Sequence, residues 1–493
     1  MGTFETSASS IGGRLKPLGG FLCITVASGL FLAAVTSLPT KWALALLAGT
    51  CFVSVIWVVR SVEKTLLILL ILAIPFDLDV NFLFVEKHSA GMNSISFGLI
   101  DIFLVLLYVP WLVRILTGRA ERVDWHPQVS VPIVGMIIAA GLSALVAVDW
   151  LFVLLEVVLL VKGLLIFLYV ANRIKSESEL RVILFCCAFG VLVQSILGLL
   201  QYHYESSLGL GILGESNVLW SQEMGRSVFS RVGGTIGYTN DYAKYLSFLF
   251  PITISLLFSG LRRSEKLFLS IVAVIMVFSI VATLSRVAWL GILISLSIVF
   301  VMHRKVRVRG GYFPAAVLLL ILFASASQSS LIRQRFTADD SGSASSRFTT
   351  SKVALGVIAD HPFLGVGANN YELVVADYGN RRNPETFTMA VHNMYLLHLA
   401  ETGALGFVFF IWLNVNLFRA IWKATQNKPP IARSFAIGCL GAFAALAFQG
   451  FFDFGFKHNQ PRFALFWLVV AVVASTRKWP DHAQRAVLSS RNS

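Results

Sequence analysis

The most regular feature of this sequence is the alternation of long apolar runs with short polar segments. Most runs are about 17–25 residues long, the length at which an α-helix crosses the hydrocarbon core of a bilayer. Of the 493 residues, 56% are hydrophobic and only 13% are charged, whereas about a quarter are charged in a typical soluble protein. The pattern therefore predicts an all-α polytopic membrane protein with about 12–14 transmembrane helices.

The runs predict fourteen spans, and the chain is divided into three parts. The spans cover about residues 18–35, 42–59, 65–76, 97–116, 131–148, 150–171, 179–201, 240–259, 266–284, 287–303, 312–326, 403–421, 435–452 and 461–476. Residues 1–230 are predicted to form N-terminal transmembrane helices. Residues 231–460 combine further helices with one large loop, about 327–402, which contains short helices. Residues 461–493 form the last helix and a basic tail.

Basic residues are concentrated in every second connection. One set of short loops and tails holds 25 of the 40 lysines and arginines, among them Arg262, Arg419 and Lys423. Because such loops stay on the cytoplasmic side, this set is predicted to be cytoplasmic and the large loop to lie outside. The same distribution argues against a nucleic-acid partner, despite the net charge of +14. The five cysteines lie inside apolar runs and suggest neither a zinc site nor a disulfide framework.

Residues 391–406, VHNMYLLHLAETGALG, hold the best candidate for acid–base chemistry. As one helix, this segment would place His392, Leu396 and Gly403 on one face. In the first turn, unpaired N–H groups and the helix dipole would disfavour a protonated imidazole. A neutral His392 could then accept a proton as a general base. The alternative is a histidine that only caps a helix entering the membrane.

Arginines lie near the outer ends of several spans. Arg286 falls between two apolar runs with almost no turn, so its guanidinium must lie at the membrane surface or in a polar cavity. The alternative for one arginine is an interfacial side chain that reaches lipid phosphate. The planar guanidinium suits a pyrophosphate, because it binds two oxygens at once. Further arginines on this side are Arg226, Arg231 and Arg347.

Three other polar patterns are weaker indications of a functional site. Asp77 and Asp79 form a D-x-D tripeptide that could hold a divalent metal, but no third ligand is nearby in sequence, so we expect a solvated loop. Residues 365–370, GVGANN, lack the third glycine of a nucleotide-binding loop and are predicted to be a turn. Glu156 and Lys162 lie within one span and are expected to pair with other helices.

Four segments together resemble the O-antigen ligase and polymerase superfamily of bacterial inner-membrane glycosyltransferases. They are RVGGTIGYTNDYAKYL at 231–246, TLSRVAWLG at 283–291, RFTTSKVALGVIADHPFLGVGANNY at 347–371 and HNMYLLHLAETGALGF at 392–407. Their order and their placement around one large loop also match, over about residues 230–460.

The resemblance implies transfer of a glycan from a polyprenyl (undecaprenyl) pyrophosphate carrier to an acceptor hydroxyl on the periplasmic side of the inner membrane. Such transfer belongs to lipopolysaccharide or exopolysaccharide biosynthesis, and other assembly proteins are possible partners. By the same resemblance, His392 is similar to the family's essential histidine, and Arg286, Arg347 and, more weakly, Arg231 to its arginines. The supporting residues expected from the same segment are Asn393, Glu401 and Gly403.

The chemistry expected of these residues needs no cofactor. A glycosyl pyrophosphate already carries a good leaving group, so no carboxylic acid has to protonate it, unlike in glycoside hydrolysis. Arginines can stabilise the charge that grows on the pyrophosphate, and a neutral histidine can deprotonate the acceptor. We therefore expect a metal-independent, inverting displacement.

The acceptor and the class of activity have alternatives. We expect a polymerase, which extends another carrier-linked repeat unit; the alternative is a ligase, which transfers the glycan to lipid A-core. A flippase or another transporter of lipid-linked glycans is a rival of a different class, but such folds tend to have paired halves, and the loops here are lopsided. A structural component of a polysaccharide assembly complex would not need His392 and the arginines together.

Overall fold

The computed structural model describes residues 61–83, 93–118, 122–217, 219–224, 227–305, 343–378, 390–426, 428–454, 460–476 and 479. The chain divides into two compact units, Met1–Leu67 and Ile68–Ser493. Of the first unit, the structure describes residues 61–67, where helix α1 begins. The remaining features belong to the second unit.

Helices dominate the described part of the chain. They are α1 Val62–Ala73, α2 Leu99–Leu116, α3 Pro127–Ser143, α4 Trp150–Arg173, α5 Glu177–Tyr204, α6 Thr239–Leu257, α7 Arg263–Ala282, α8 Arg286–Lys305, α9 Ser343–Asp360, α10 Tyr371–Tyr378, α11 Met394–Ala424, α12 Pro430–Gln449 and α13 Gln460–Thr476. A 3₁₀ turn spans Gly211–Leu213. Two antiparallel hairpins pair β1 Asp79–Phe82 with β2 Ile95–Gly98, and β3 Trp220–Met224 with β4 Ser227–Arg231.

Seven of the described helices are long and apolar enough to cross a membrane, namely α2, α4, α5, α7, α8, α11 and α12. The apolar helices α3 and α13 are shorter. The predicted all-α polytopic fold is confirmed. Helices occupy eleven of the fourteen predicted spans; the other three, 18–35, 42–59 and 312–326, lie outside the described residues.

Helix α6 lies at the centre of the packing. It packs against α12, α7 and α8, and α12 in turn contacts α8 and α11. All but two of its nineteen residues are buried. Close approach to α12 depends on Gly438, where a Cβ would lie 2.5 Å from the Cα of Ile252. A second set of contacts joins α3 to α11 and α4, and α4 to α13.

The second part of the large loop is folded. Helices α9 and α10 and the start of α11 share a small hydrophobic core that includes Val357, Val366, Tyr371 and Leu397. The prediction of short helices in this loop is therefore confirmed for residues 343–378.

Helix α11 is broken at Gly403, which corrects the expectation of one continuous helix over 391–406. Gly403 has φ 61° and ψ −167°, a conformation almost restricted to glycine. The turn after α9 inserts its backbone here. The amide of Ala404 donates to the carbonyl of Pro362 (2.8 Å), and the amide of Val366 donates to the carbonyl of Ala400 (2.9 Å). The segments 347–371 and 392–407 thus form one unit.

Residues 365–370 form a turn that binds the connection between α3 and α4. The side chain of Asn370 accepts a hydrogen bond from the amide of Asp149 (2.9 Å) and donates one to its carbonyl (3.1 Å). The amide of Ala368 donates to the hydroxyl of Ser143 (2.9 Å). Asn370 and Ala368 of this turn thus join the large loop to the end of α3 and the α3–α4 connection.

Candidate functional site

His392 lies just outside the helix that it was expected to begin. Asn393 is the N-cap of α11, and its side chain accepts hydrogen bonds from the amides of Tyr395 (3.0 Å) and Leu396 (3.1 Å). The placement of His392 in the first turn is therefore wrong, because asparagine is the stronger N-cap residue. The capping role proposed as the alternative for His392 belongs to Asn393.

The loop after α12 covers His392. The imidazole packs against Phe454, with 4.6 Å between ring centroids. The amide of Met394 donates to the carbonyls of Gly450 (2.7 Å) and Asp453 (3.0 Å), which fixes this loop against the start of α11. His392 is half-buried in this position.

The surroundings of His392 keep its imidazole neutral at pH 7. Burial lowers the pKa of His392 below its ordinary 6.5 and outweighs the negative charge of Asp453, which raises it. The positive charges of Arg347 and Lys244 lower the pKa further. The prediction of a neutral histidine is supported, but the main cause is desolvation and not the helix dipole.

Four charged side chains form a buried ion cluster next to His392. The Lys244 ammonium lies 3.2 Å from the carboxylate of Asp241 and 3.0 Å from that of Asp453. The Arg462 guanidinium lies 2.7 Å from the second oxygen of Asp241. Lys244 and Arg462 are only 4% and 2% exposed, and charges so deeply buried require partners. This ion cluster joins α6, the loop after α12, and α13.

The ion cluster keeps Asp453 ionised beside His392. Burial alone would raise the pKa of Asp453, but the charges of Lys244, Arg462 and His392 bring it below its usual value. The sequence analysis missed all four members of the cluster. The available signal was the presence of charged residues at the start of predicted spans 240–259 and 461–476, where charge is costly.

Two of the predicted arginines lie near His392 or the ion cluster. Arg347, in the second turn of α9, is close enough to His392 to lower its pKa. Arg231 donates from Nε to the carbonyl of Thr283 (2.9 Å) and from Nη2 to the side chain of Asn240 (2.8 Å). Asn240 directly precedes Asp241 of the ion cluster.

Arg286 is the first residue of α8 and is half-buried. The turn before it contains Leu284 with φ 55°, a left-handed conformation that is uncommon for a leucine. Because Arg231 binds the carbonyl of Thr283, it holds this turn and thereby the start of α8. Arg231 therefore has a positioning role in the structure.

The expected supporting residues shape the backbone around His392. Asn393 caps α11, and Gly403 permits its break. Glu401 is 3% exposed, and its carbonyl accepts a hydrogen bond from the amide of Gly367 (3.0 Å). Its side chain lies near Tyr371, whose pKa is raised by burial and by the charge of Glu401.

Asp77 and Asp79 are half-buried, so the expectation of a solvated loop is wrong. Burial and the neighbouring carboxyl of Asp77 raise the pKa of Asp79 to about 7. The charge of Asp101 adds to the effect, although Asp101 itself is paired with Lys162 at 2.9 Å. That pair confirms the expected helix-to-helix pairing of Lys162. Among the described residues, no three His, Cys, Asp or Glu side chains are placed to hold a metal ion.

Comparison with known proteins gives two matches. Residues 271–411 match the sequence pattern of a family described as O-antigen ligase. An O-antigen ligase of Salmonella typhimurium (strain LT2) is 25% identical over 257 residues, which cover 48% of this chain and 60% of that protein. The aligned part thus spans less than two thirds of the relative. The family match includes Arg286, Arg347 and His392, whereas the four residues of the ion cluster lie outside it.

Proposed function

We propose, on the basis of the match of residues 271–411 to the O-antigen ligase family, that this chain belongs to the O-antigen ligase and polymerase superfamily and transfers a glycan from a polyprenyl pyrophosphate carrier to an acceptor hydroxyl. The observation that carries the proposal is His392, which is half-buried, kept neutral and near enough to Asp453 and Arg347 for their charges to shift its pKa. We place this reaction in the bacterial inner membrane, on the periplasmic side, because the charge distribution predicts that the large loop lies opposite the basic connections.

The proposed reaction is a single displacement at the anomeric carbon. The acceptor oxygen forms a bond to this carbon while the bond from the carbon to the pyrophosphate oxygen breaks. The hydroxyl proton passes to a ring nitrogen of His392, and the pyrophosphate leaves with its lipid. One displacement inverts the anomeric configuration.

Charges around His392 favour both parts of this step. As the imidazole gains a proton, the carboxylate of Asp453 stabilises the new positive charge. Arg347 and Arg286 can bind the pyrophosphate and stabilise the negative charge that grows on it. Arg347 also disfavours the protonated imidazole before the reaction, because like charges repel.

Two acceptors remain candidates. A polymerase, as expected from the sequence, would extend a second carrier-linked repeat unit. The relative from Salmonella is named an O-antigen ligase, and that name favours transfer to lipid A-core. Deletion of the gene distinguishes them: loss of long chains supports the polymerase, whereas long chains that form on the carrier but never reach lipid A-core support the ligase.

The transfer itself is tested with purified protein in lipid vesicles. Supplied with a pyrophosphate-linked oligosaccharide, alone or with lipid A-core, the protein should form a new glycosidic bond, and EDTA should not prevent it. If the protein only moves the intact lipid-linked glycan across the vesicle membrane, the function is transport. Loss of activity with EDTA that magnesium or manganese restores would contradict the expected metal-independent reaction.

A further inference from the structure

A large cavity lies at the opposite end of α11 from His392. It measures about 710 Å³ and opens between the N-terminal turns of α3 and the C-terminal turns of α11. From the break at Gly403 to Arg419 alone, α11 rises about 24 Å at 1.5 Å per helical residue, and no described residue of α11 before Trp412 lines the cavity. The cavity is therefore separate from the candidate site and has no part in the proposed function.

One end of this cavity is strongly basic. Arg419, Lys423 and Lys428 line it, and none of the described lining residues is acidic. Lys428 also donates to the carbonyl of Trp479 (2.8 Å), which fixes the loop after α11. Arg419 and Lys423 are exposed and are four residues apart, so they share one face of α11. The arrangement favours an anionic ligand.

The other end of the cavity is apolar. Trp412 and Val131 line it and are 42% and 47% exposed. Trp412 lies seven residues before Arg419 on the same helix, about 10 Å away along its axis. Between them, the side chain of Asn416 donates to the carbonyl of Gln128 (2.8 Å) and joins α11 to α3. The cavity thus changes from apolar to cationic along α11.

We propose that this cavity binds an acidic phospholipid. Its phosphate would contact Arg419 and Lys423, and an acyl chain would lie along Trp412 and Val131. An inorganic phosphate would leave the apolar half unfilled, whereas a lipid matches both halves. Because these cations belong to the basic set of connections, the lipid would come from the cytoplasmic leaflet, where anionic lipids attract basic residues.

Tryptophan quenching tests the site without any assay of activity. The full chain, in phosphatidylcholine nanodiscs, is titrated with brominated phosphatidylglycerol, and the signal of Trp412 is obtained by subtracting that of Trp412→Phe. Quenching should saturate at a low lipid fraction. Arg419→Gln/Lys423→Gln should weaken binding roughly thirtyfold, from a cost per basic residue of about fivefold. Arg262→Gln/Arg263→Gln is the matched control, because it removes two exposed arginines elsewhere, and it should bind normally.

Three results would overturn the proposal. Quenching of Trp412 by brominated phosphatidylcholine as strong as that by the acidic lipid would indicate ordinary contact with the bilayer. Binding by the Arg419→Gln/Lys423→Gln variant as tight as that of its control would show that these cations do not hold the lipid. Complete displacement of the lipid by millimolar inorganic phosphate would indicate a simple anion site.

Discussion

At the scale of single residues, burial has the largest effect on His392. Its imidazole lies under Phe454 and close to one carboxylate and two cations, and the balance lowers its pKa. A base that is neutral at pH 7 needs no further activation before it meets a hydroxyl. The sequence also predicted a lowered pKa for His392, but it attributed the shift to the helix dipole, whereas burial is the main cause. The role of His392 as the base stays a prediction.

Replacing His392 tests the role of the base. His392→Ala should lower kcat by about 10²–10⁴, the usual contribution of general base catalysis, while binding of the lipid-linked donor is kept. His361→Ala is the control, since His361 is exposed just after α9 and should retain normal kcat. Donor binding is measured separately from turnover. A His392→Ala protein that binds no donor would show that His392 belongs to the binding site and is not the base.

The pH dependence of kcat/KM should shift in opposite directions when each of two neighbours of His392 is replaced. A general base must be deprotonated, so kcat/KM should fall as the pH drops through the pKa of His392, below 6.5. Asp453→Asn removes a charge that raises this pKa and should move the acid limb to lower pH, by roughly one pH unit. Arg347→Ala removes a charge that lowers it and should move the limb to higher pH, besides weakening donor binding. Limbs that move in the same direction would exclude His392 as the titrating group.

At the scale of elements, the break in α11 organises the large loop. The turn at 361–367 binds the backbone on both sides of Gly403, and the next turn binds Ser143 and Asp149. The start of α11, and with it His392, is consequently held by elements from distant parts of the sequence.

Gly403→Ala should therefore destabilise the protein strongly. A Cβ at Gly403 would lie 2.2 Å from the carbonyl carbon of Phe363, and the backbone conformation itself disfavours alanine. We expect a cost of about 3 kcal/mol or more, seen as a lower Tm and faster proteolysis after α9. Gly118 is a matched control, with φ 67° and open space around it, so Gly118→Ala should cost only about 1 kcal/mol. Equal losses would show that the contact with Phe363 is unimportant.

At the scale of the whole molecule, the orientation in the membrane decides which side of the cell holds His392. The charge distribution predicts that the large loop faces outwards and that the connection before α7 is cytoplasmic. Leu355 in α9 and Arg262 before α7 are both exposed and suit a direct comparison.

Cysteine labelling tests this orientation. In a variant without native cysteines, Leu355→Cys should react with an impermeant thiol reagent added to spheroplasts, and Arg262→Cys should react only after permeabilisation. The reverse pattern would place His392 on the cytoplasmic side and would rule out a periplasmic reaction.

The fold class and the positions of most helices could be predicted from the sequence alone. These features depend on local composition: a run of apolar residues must satisfy its backbone hydrogen bonds as a helix wherever it enters a membrane. The resemblance to a family adds His392 as the candidate base, and that role stays a prediction. The resemblance also predicted Arg347, which the structure places near His392.

The surroundings of those residues depend on tertiary packing and could not be predicted from the sequence. Asp241, Lys244, Asp453 and Arg462 come from three separate parts of the chain, and no local pattern indicates that they meet. The start of α11 depends on which of His392 and Asn393 caps the helix. Its break at Gly403 depends on contact with a backbone segment forty residues earlier in the chain. Long-range packing brings these groups together, because each buried charge and each open backbone group must find a partner.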